Sequence, residues 1–277
     1  IYQCDWSSDV CSSDLRDGVL IGLAERDDAA AIAVPQGQAL LQSADFFRAL
    51  VDDPYLFGRI AAVHALGDIH SKGGAAHSAL AIAVVPHGPP EIVEDDLAQM
   101  LAGAEGALAE AGAALIGGHS SEGTELAFGL SVNGTMSPDA ILRKGGARPG
   151  DVLILTKPLG TGAIFAAAMQ GKARGRWLKA ALASMTRSLA PSADALRGLG
   201  VQAMTDVTGF GLIGHALEMA RAGHVGIRLS PATVPALDGA LSLLADGIAS
   251  TLAPENRRAL RMLGDDGGWT GMPELDL

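Results

Sequence analysis

Residues 39–85, ALLQSADFFRALVDDPYLFGRIAAVHALGDIHSKGGAAHSALAIAVV, carry strand, helix and strand signals in succession. The runs ALLQSAD (39–45) and ALAIAVV (79–85) are short, apolar and bounded by Gly, Pro or Asp, which predicts strands. Residues 54–66 between them have helical spacing. The same signals continue outward, with strands expected at 29–35, 125–136 and 151–160. Helices are expected at 94–114, 161–171, 177–199 and 211–222. In 94–114, Leu97, Leu101, Leu108 and Ala111 share one face, and Glu94, Asp95 and Asp96 sit in the first turn, where the helix dipole favours acids. The pattern is that of a mixed α/β or α+β protein. Gly and Pro cluster in RKGGARPGD (143–151), which sets the expected boundary between an N-terminal domain, 16–148, and a C-terminal domain, 149–277.

Composition narrows the function. The 277 residues are 48% hydrophobic and 18% charged with 36 glycines, a globular composition. Thirty-one acidic against 20 basic residues give a net charge of −11, and no stretch concentrates Lys and Arg. A nucleic-acid surface is therefore not expected, since phosphates need clustered cations. The longest apolar runs, such as SALAIAVVP (78–86), are too short to span a bilayer, and the start of the chain lacks a secretion signal, so a cytoplasmic, membrane-free protein is expected. Both cysteines fall within the first 11 residues, which leaves the body without a disulfide framework.

Several aspartates share one setting, at the edge of an apolar segment beside Gly or another small residue: Asp27, Asp28, Asp45, Asp68 and Asp206. Each alone reads as a cap or turn residue. Together with abundant glycine they suit Mg²⁺ and a nucleoside triphosphate, because Mg²⁺ takes carboxylate and phosphate oxygens while Gly lets backbone N–H groups approach phosphates. Two Gly-rich turns add to this reading. ALIGGHSSEG (114–123) carries Gly117, Gly118, His119 and Ser120, and TDVTGFGLIGHALEMA (205–220) places Gly209 and Gly211 at a helix start, where orphan N–H groups attract anions. Neither ends in Gly-Lys-Ser/Thr, so a P-loop is excluded. His64, His215 and His224 read as packed or surface residues, and no HExxH or CxxC spacing supplies a zinc set. Lys157 in LTKPLGTG reads either as a phosphate contact or as a solvated lysine.

RDDAA (26–30), DFFRALVDDPYLFGRIAAVHALGDIHSKGG (45–74), GGHSSEG (117–123), ILTKPLGTG (154–162) and TDVTGFGLIGHALEM (205–219) resemble, in order, the selenide, water dikinase (selenophosphate synthetase) family. That family lies within the aminoimidazole ribonucleotide synthetase-like superfamily. The resemblance covers residues 19–277 and implies a two-domain fold with a dimeric barrel built from the N-terminal sheets and an α/β C-terminal domain. It implies formation of selenophosphate, AMP and phosphate from ATP, selenide and water, with Mg²⁺ bridging the triphosphate to Asp28, Asp68 and Asp206. It further implies ATP contacts from Glu25, Arg26, Asp27, Asp45, Asp68, Gly118, His119 and Ser120, and a homodimer. Other enzymes of the superfamily, of thiamine-monophosphate kinase or aminoimidazole ribonucleotide synthetase type, are the near alternatives. A non-catalytic ATP-binding or dimerising module is the distant one.

The chain departs from the family pattern in three places. The Gly-rich segment with a Cys and a Lys three residues on, expected upstream of DDAA, is absent, so no catalytic nucleophile is assigned. Ser71-Lys72-Gly73 replaces an Ala-Met-Gly segment, and Lys72 reads either as an added cation near the phosphates or as an exposed side chain. The chain ends at GMPELDL, where the family continues, so a truncated C-terminal domain is expected, and RKGGARPGDVLILTKPLGTG resembles the variant fused behind a flavin-dependent oxidoreductase. The first 15 residues, IYQCDWSSDVCSSDL, resemble translated adaptor sequence and are expected to be a non-native leader.

Overall fold

The computed structural model describes residues 19–21, 27–34 and 37–260; the leader, Glu25 and Arg26 lie outside them. The chain divides into two units, Ile1–Arg143 with Ser188–Met204, and Lys144–Arg187 with Thr205–Leu277.

Among the described residues, the stretch of the first unit up to Met136 is a six-stranded sheet with two helices. Its elements are β1 (Val19–Ile21), β2 (Ala30–Val34), β3 (Gln38–Arg48), α1 (Pro54–Ser71), β4 (Ala75–Pro86), α2 (Pro90–Glu110), β5 (Ala114–Gly123) and β6 (Ala127–Met136). The strand order is β1-β2-β3-β6-β4-β5, antiparallel except for the β4–β5 pair, which α2 connects as a crossover. Asp53 starts α1 by accepting a hydrogen bond from the Leu56 N–H (2.9 Å), and Pro54 fills a first-turn position whose N–H would be unpaired anyway. The helix is apolar nearly all round because it is covered twice, by β3 and β6 on one side and by α2 on the other. Phe57 and Phe128 meet edge to face at 6.4 Å in this core, beside Ile69, Met100, Leu108 and Leu130.

The two helices approach closely through Gly58 and Gly103. A Cβ on Gly58 would lie 2.0 Å from the Met100 carbonyl oxygen, and one on Gly103 would lie 2.0 Å from that of Tyr55. On the opposite face of the sheet Ile32, Phe46, Leu80, Ile82 and Ile116 are exposed.

Residues 114–123 are a strand, β5, where sequence reading gave a turn. Glycine was taken as a turn former, yet here it serves close strand approach: a Cβ on Gly118 would lie 2.1 Å from the Ala81 carbonyl oxygen.

The second unit, among the described residues, is helical: α3 (Thr161–Met169), α4 (Gly175–Met185), α6 (Gly211–Gly223), α7 (Ala240–Ala245) and α8 (Ala253–Leu260); α5 (Ala190–Gly198) belongs to the first unit. Ile164, Ala167, Ala181, Leu237, Ala240 and Leu243 form its core. The strand expected at 151–160 is not formed. No described neighbour supplies a ladder, Val152 and Ile154 stay exposed, and only Leu159 makes an isolated bridge, to Ala236. The single helix expected at 177–199 is two helices, α4 and α5. Pro191 in the first turn of α5 cannot continue a helix, since its ring would strike the carbonyl four residues back and it has no N–H to donate. No described helix is long and apolar enough to cross a membrane.

Candidate active site

The last turn of α1 gathers the N-terminal acids. Asp68, Ser71 and Lys72 stand at i, i+3 and i+4 and so share a face. The Ser71 hydroxyl lies 2.7 Å from the Asp68 carbonyl oxygen and 3.1 Å from Asp28 Oδ2, so its proton is shared between them. Ser43 on β3 donates to Asp68 Oδ2. Lys72 is fully buried; its Nζ pairs with Asp27 Oδ1 and lies 3.2 Å from Asp28 Oδ2. Both aspartates are themselves almost wholly enclosed, just before β2. Of the two readings left open for Lys72, the exposed one is excluded.

Ser43 and Asp45 alternate with outward-facing residues of β3 and both meet α1. Asp45 Oδ1 lies 3.9 Å from His64 Nε2, and His64 packs edge to face on Phe47 at 5.4 Å. His64 is thus a packed residue that faces a carboxylate.

Gly118, His119 and Ser120 lie on β5 at the sheet edge, exposed. Register places Asp45 opposite Leu130, Leu130 opposite Ala81, and Ala81 opposite Gly118. Three strand spacings therefore put Asp45 and Gly118 about 14 Å apart on one rung. Asp27, Asp28, Asp45 and Asp68 cluster around α1, while the β5 residues stand apart from them.

In the second unit Asp206 lies on the loop 205–210 that enters α6. His215, one turn into α6 and buried, accepts a hydrogen bond from the Thr208 N–H through Nε2 (3.2 Å) and meets the Thr208 hydroxyl at 3.1 Å. Its Nδ1 lies 3.4 Å from Glu218 Oε2, which takes a 2.8 Å hydrogen bond from Lys144. Burial pushes the Glu218 carboxyl up, but hydrogen bonds from His215 and Lys144 and the charge of Lys144 outweigh it and hold the group at about 2. Asn256 donates to the Gly209 carbonyl at 3.1 Å. The loop is therefore pinned at 208 and 209, on either side of its glycine turn.

Lys157 is partly buried. Its Nζ donates to the carbonyls of Ser184 (2.8 Å) and Arg187 (2.7 Å) at the end of α4, and burial together with Arg187 lowers it to about 8.

The donors around α1 are carboxylate and hydroxyl oxygens, and carboxylate oxygens of Asp28 and Asp68 lie within 4.8 Å of each other. That chemistry suits a hard divalent cation such as Mg²⁺. Sequence reading did not single out Ser43, Ser71, Lys144 or Glu218 as functional. The i, i+3 spacing of His215 with Glu218 and of Asp68 with Ser71 was the only local signal for any of them.

Residues 26–136 match the family described as AIR synthase related protein, N-terminal domain, and residues 148–256 match its C-terminal domain. Selenide, water dikinase of Nitratidesulfovibrio vulgaris strain Hildenborough is 42% identical over 254 residues, covering 88% of this chain and 70% of that protein. The enzyme of the same name from Geobacter metallireducens is 42% identical over 241 residues, covering 86% and 69%. Among solved structures, thiamine-monophosphate kinase from Stenotrophomonas maltophilia superposes with a TM-score of 0.67 at 20% identity, covering 85% of this chain and 78% of that one, a likeness of fold.

Proposed function

The chain belongs to the selenide, water dikinase family, and from that premise we propose that it uses ATP, selenide and water to form selenophosphate, AMP and phosphate. Identity of 42% across both domains to enzymes of that name is the observation that carries the reading. Asp28, Asp68 and Asp206 are the proposed Mg²⁺ ligands. Asp27, Asp45, Asp68, Gly118, His119 and Ser120, with Glu25 and Arg26, are the proposed ATP contacts. Bound there, Mg²⁺ supplies charge neutralisation for the triphosphate and its leaving oxygens.

The residues of the chain do the positioning. Ser43 fixes one oxygen of Asp68, and Ser71 ties Asp28 to the end of α1, so both carboxylates are oriented before a ligand arrives. His215 performs the same task for the loop that carries Asp206, by holding the Thr208 N–H. Incubated anaerobically with MgATP and selenide, the protein is expected to release AMP and phosphate together with a selenium- and ³¹P-containing product seen by NMR. ADP as the sole nucleotide product, independent of selenide, would assign it to another branch of the superfamily.

A homodimer through the exposed sheet face is part of this proposal. Phe46, Leu80, Ile82 and Ile116 present exposed apolar surface, and a second sheet of the same kind covers it with like residues. Ile82→Asp is expected to convert a dimer to a monomer in sedimentation velocity runs. A monomeric wild-type protein, or a variant that stays dimeric, refutes this assembly.

A further inference from the structure

Lys72 occupies the centre of the acidic cluster, and its role is a separate question from that of the aspartates. The residue caps the C-terminal end of α1 in ordinary right-handed geometry (φ −83°, ψ −4°) and has no exposed surface. Its backbone is fixed at both ends, by N–H donation to the Ile69 carbonyl (3.2 Å) and by acceptance from the Leu142 N–H (3.0 Å). The four-carbon stem therefore starts from a rigid point, and its ammonium reaches Asp27 and Asp28 together. A lysine this enclosed is tolerated because two carboxylates face it, and the carboxylates are in turn tolerated because of the lysine.

The arrangement sets up a competition. Asp28, whose Oδ2 lies 3.2 Å from the ammonium, is one of the carboxylates from which a Mg²⁺ ion shared with Asp68 needs an oxygen at about 2.1 Å. An ammonium and a divalent cation repel each other at such range in a poorly solvated pocket. Both cannot hold Asp28 at full strength.

We propose that Lys72 is a built-in counter-cation of this site: it stabilises Asp27 and Asp28 while the metal is absent and yields Asp28 when Mg²⁺ binds. The idea rests on the Mg²⁺ reading above. Lys72 is a positioning residue in this scheme, and its charge lowers metal affinity while it keeps the metal-free protein folded. The site is thereby tuned to fill only at high Mg²⁺ concentration.

The test uses Mg²⁺ alone, without nucleotide. Titration calorimetry of Lys72→Met is expected to show Mg²⁺ binding at least tenfold tighter than wild type. Its thermal midpoint in EDTA falls below that of wild type and is raised more by saturating Mg²⁺. Lys72→Arg, which keeps the charge, restores the EDTA midpoint and the weaker wild-type affinity. A folded Lys72→Met protein with unchanged or weaker Mg²⁺ affinity overturns the proposal. So does a variant that stays unfolded at saturating Mg²⁺, because the ammonium is then not replaceable by a divalent cation. If wild type and Asp68→Asn both show no Mg²⁺ binding or thermal shift, the Mg²⁺ reading itself has failed, a distinguishable result.

Discussion

Asp68→Asn is expected to lower selenide-dependent AMP release by on the order of a hundredfold or more, the scale seen when a positioned electrostatic group is removed from a reaction centre. The substitution is nearly isosteric, so the fold survives. Asp68 accepts from Ser43, shares Ser71 through its backbone carbonyl and lies within 4.8 Å of Asp28, and only the first and last of these involve its carboxylate. The Ser43 hydroxyl can turn to meet the amide oxygen. What disappears is one negative charge and one oxygen of the proposed metal set. Circular dichroism should give a thermal midpoint within a few degrees of wild type, while calorimetry with MgATP shows binding weakened in parallel with turnover. A variant with kcat/KM within threefold of wild type would remove Asp68 from the metal set.

Gly103→Ala is expected to destabilise the first unit by about 2 kcal/mol or more, although alanine in a helix interior normally gains about 1 kcal/mol over glycine. The sign is reversed by the Tyr55 carbonyl, 2.0 Å from where the new methyl must sit. Backbone cannot rotate aside like a flexible side chain, so α2 must move off α1, and overpacking of this kind costs about 1–3 kcal/mol beyond the propensity gain. Gly58→Ala meets the Met100 carbonyl at the same 2.0 Å and should behave alike. Gly106→Ala is the internal control on the same helix. Its nearest neighbour would be the Arg59 guanidinium at 3.6 Å, ordinary contact, so the propensity gain stands and stability rises. Thermal melts of the three variants check the ordering; a Gly103→Ala protein as stable as Gly106→Ala contradicts the close helix packing.

The β3-α1-β4 stretch was legible because its signals are local: apolar runs of strand length on both sides of a long helical pattern. What failed was non-local. Residues 151–160 look like a strand by composition, but a strand exists only where a neighbour offers a ladder. Residues 177–199 have helical periodicity throughout, and the break before Pro191 leaves that periodicity unchanged. The glycines of 114–123 were read as turn formers because the sequence cannot say how near the Ala81 carbonyl comes.

The same division runs through the candidate site. Asp27, Asp28, Asp45 and Asp68 were legible as candidates because each lies at the edge of an apolar segment beside small residues. Ser43 and Ser71 are ordinary serines until the sheet and helix bring them to a carboxylate. Lys72 could be taken as exposed because lysine almost always is, and only the fold shows two aspartates closing over it.

Strand order has a consequence for synthesis. β6 is the last of the six described strands to leave the ribosome, yet it lies in the middle of the sheet and is the strand that pairs β1-β2-β3 with β4-β5. A nascent chain shorter than about residue 127 therefore carries two half-sheets, each with an open edge and with α1 lacking its contact on Phe128. Such edges invite pairing with other chains. The N-terminal half must wait for one strand before it can close, and any delay in translation just upstream of Ala127 prolongs its exposure to aggregation.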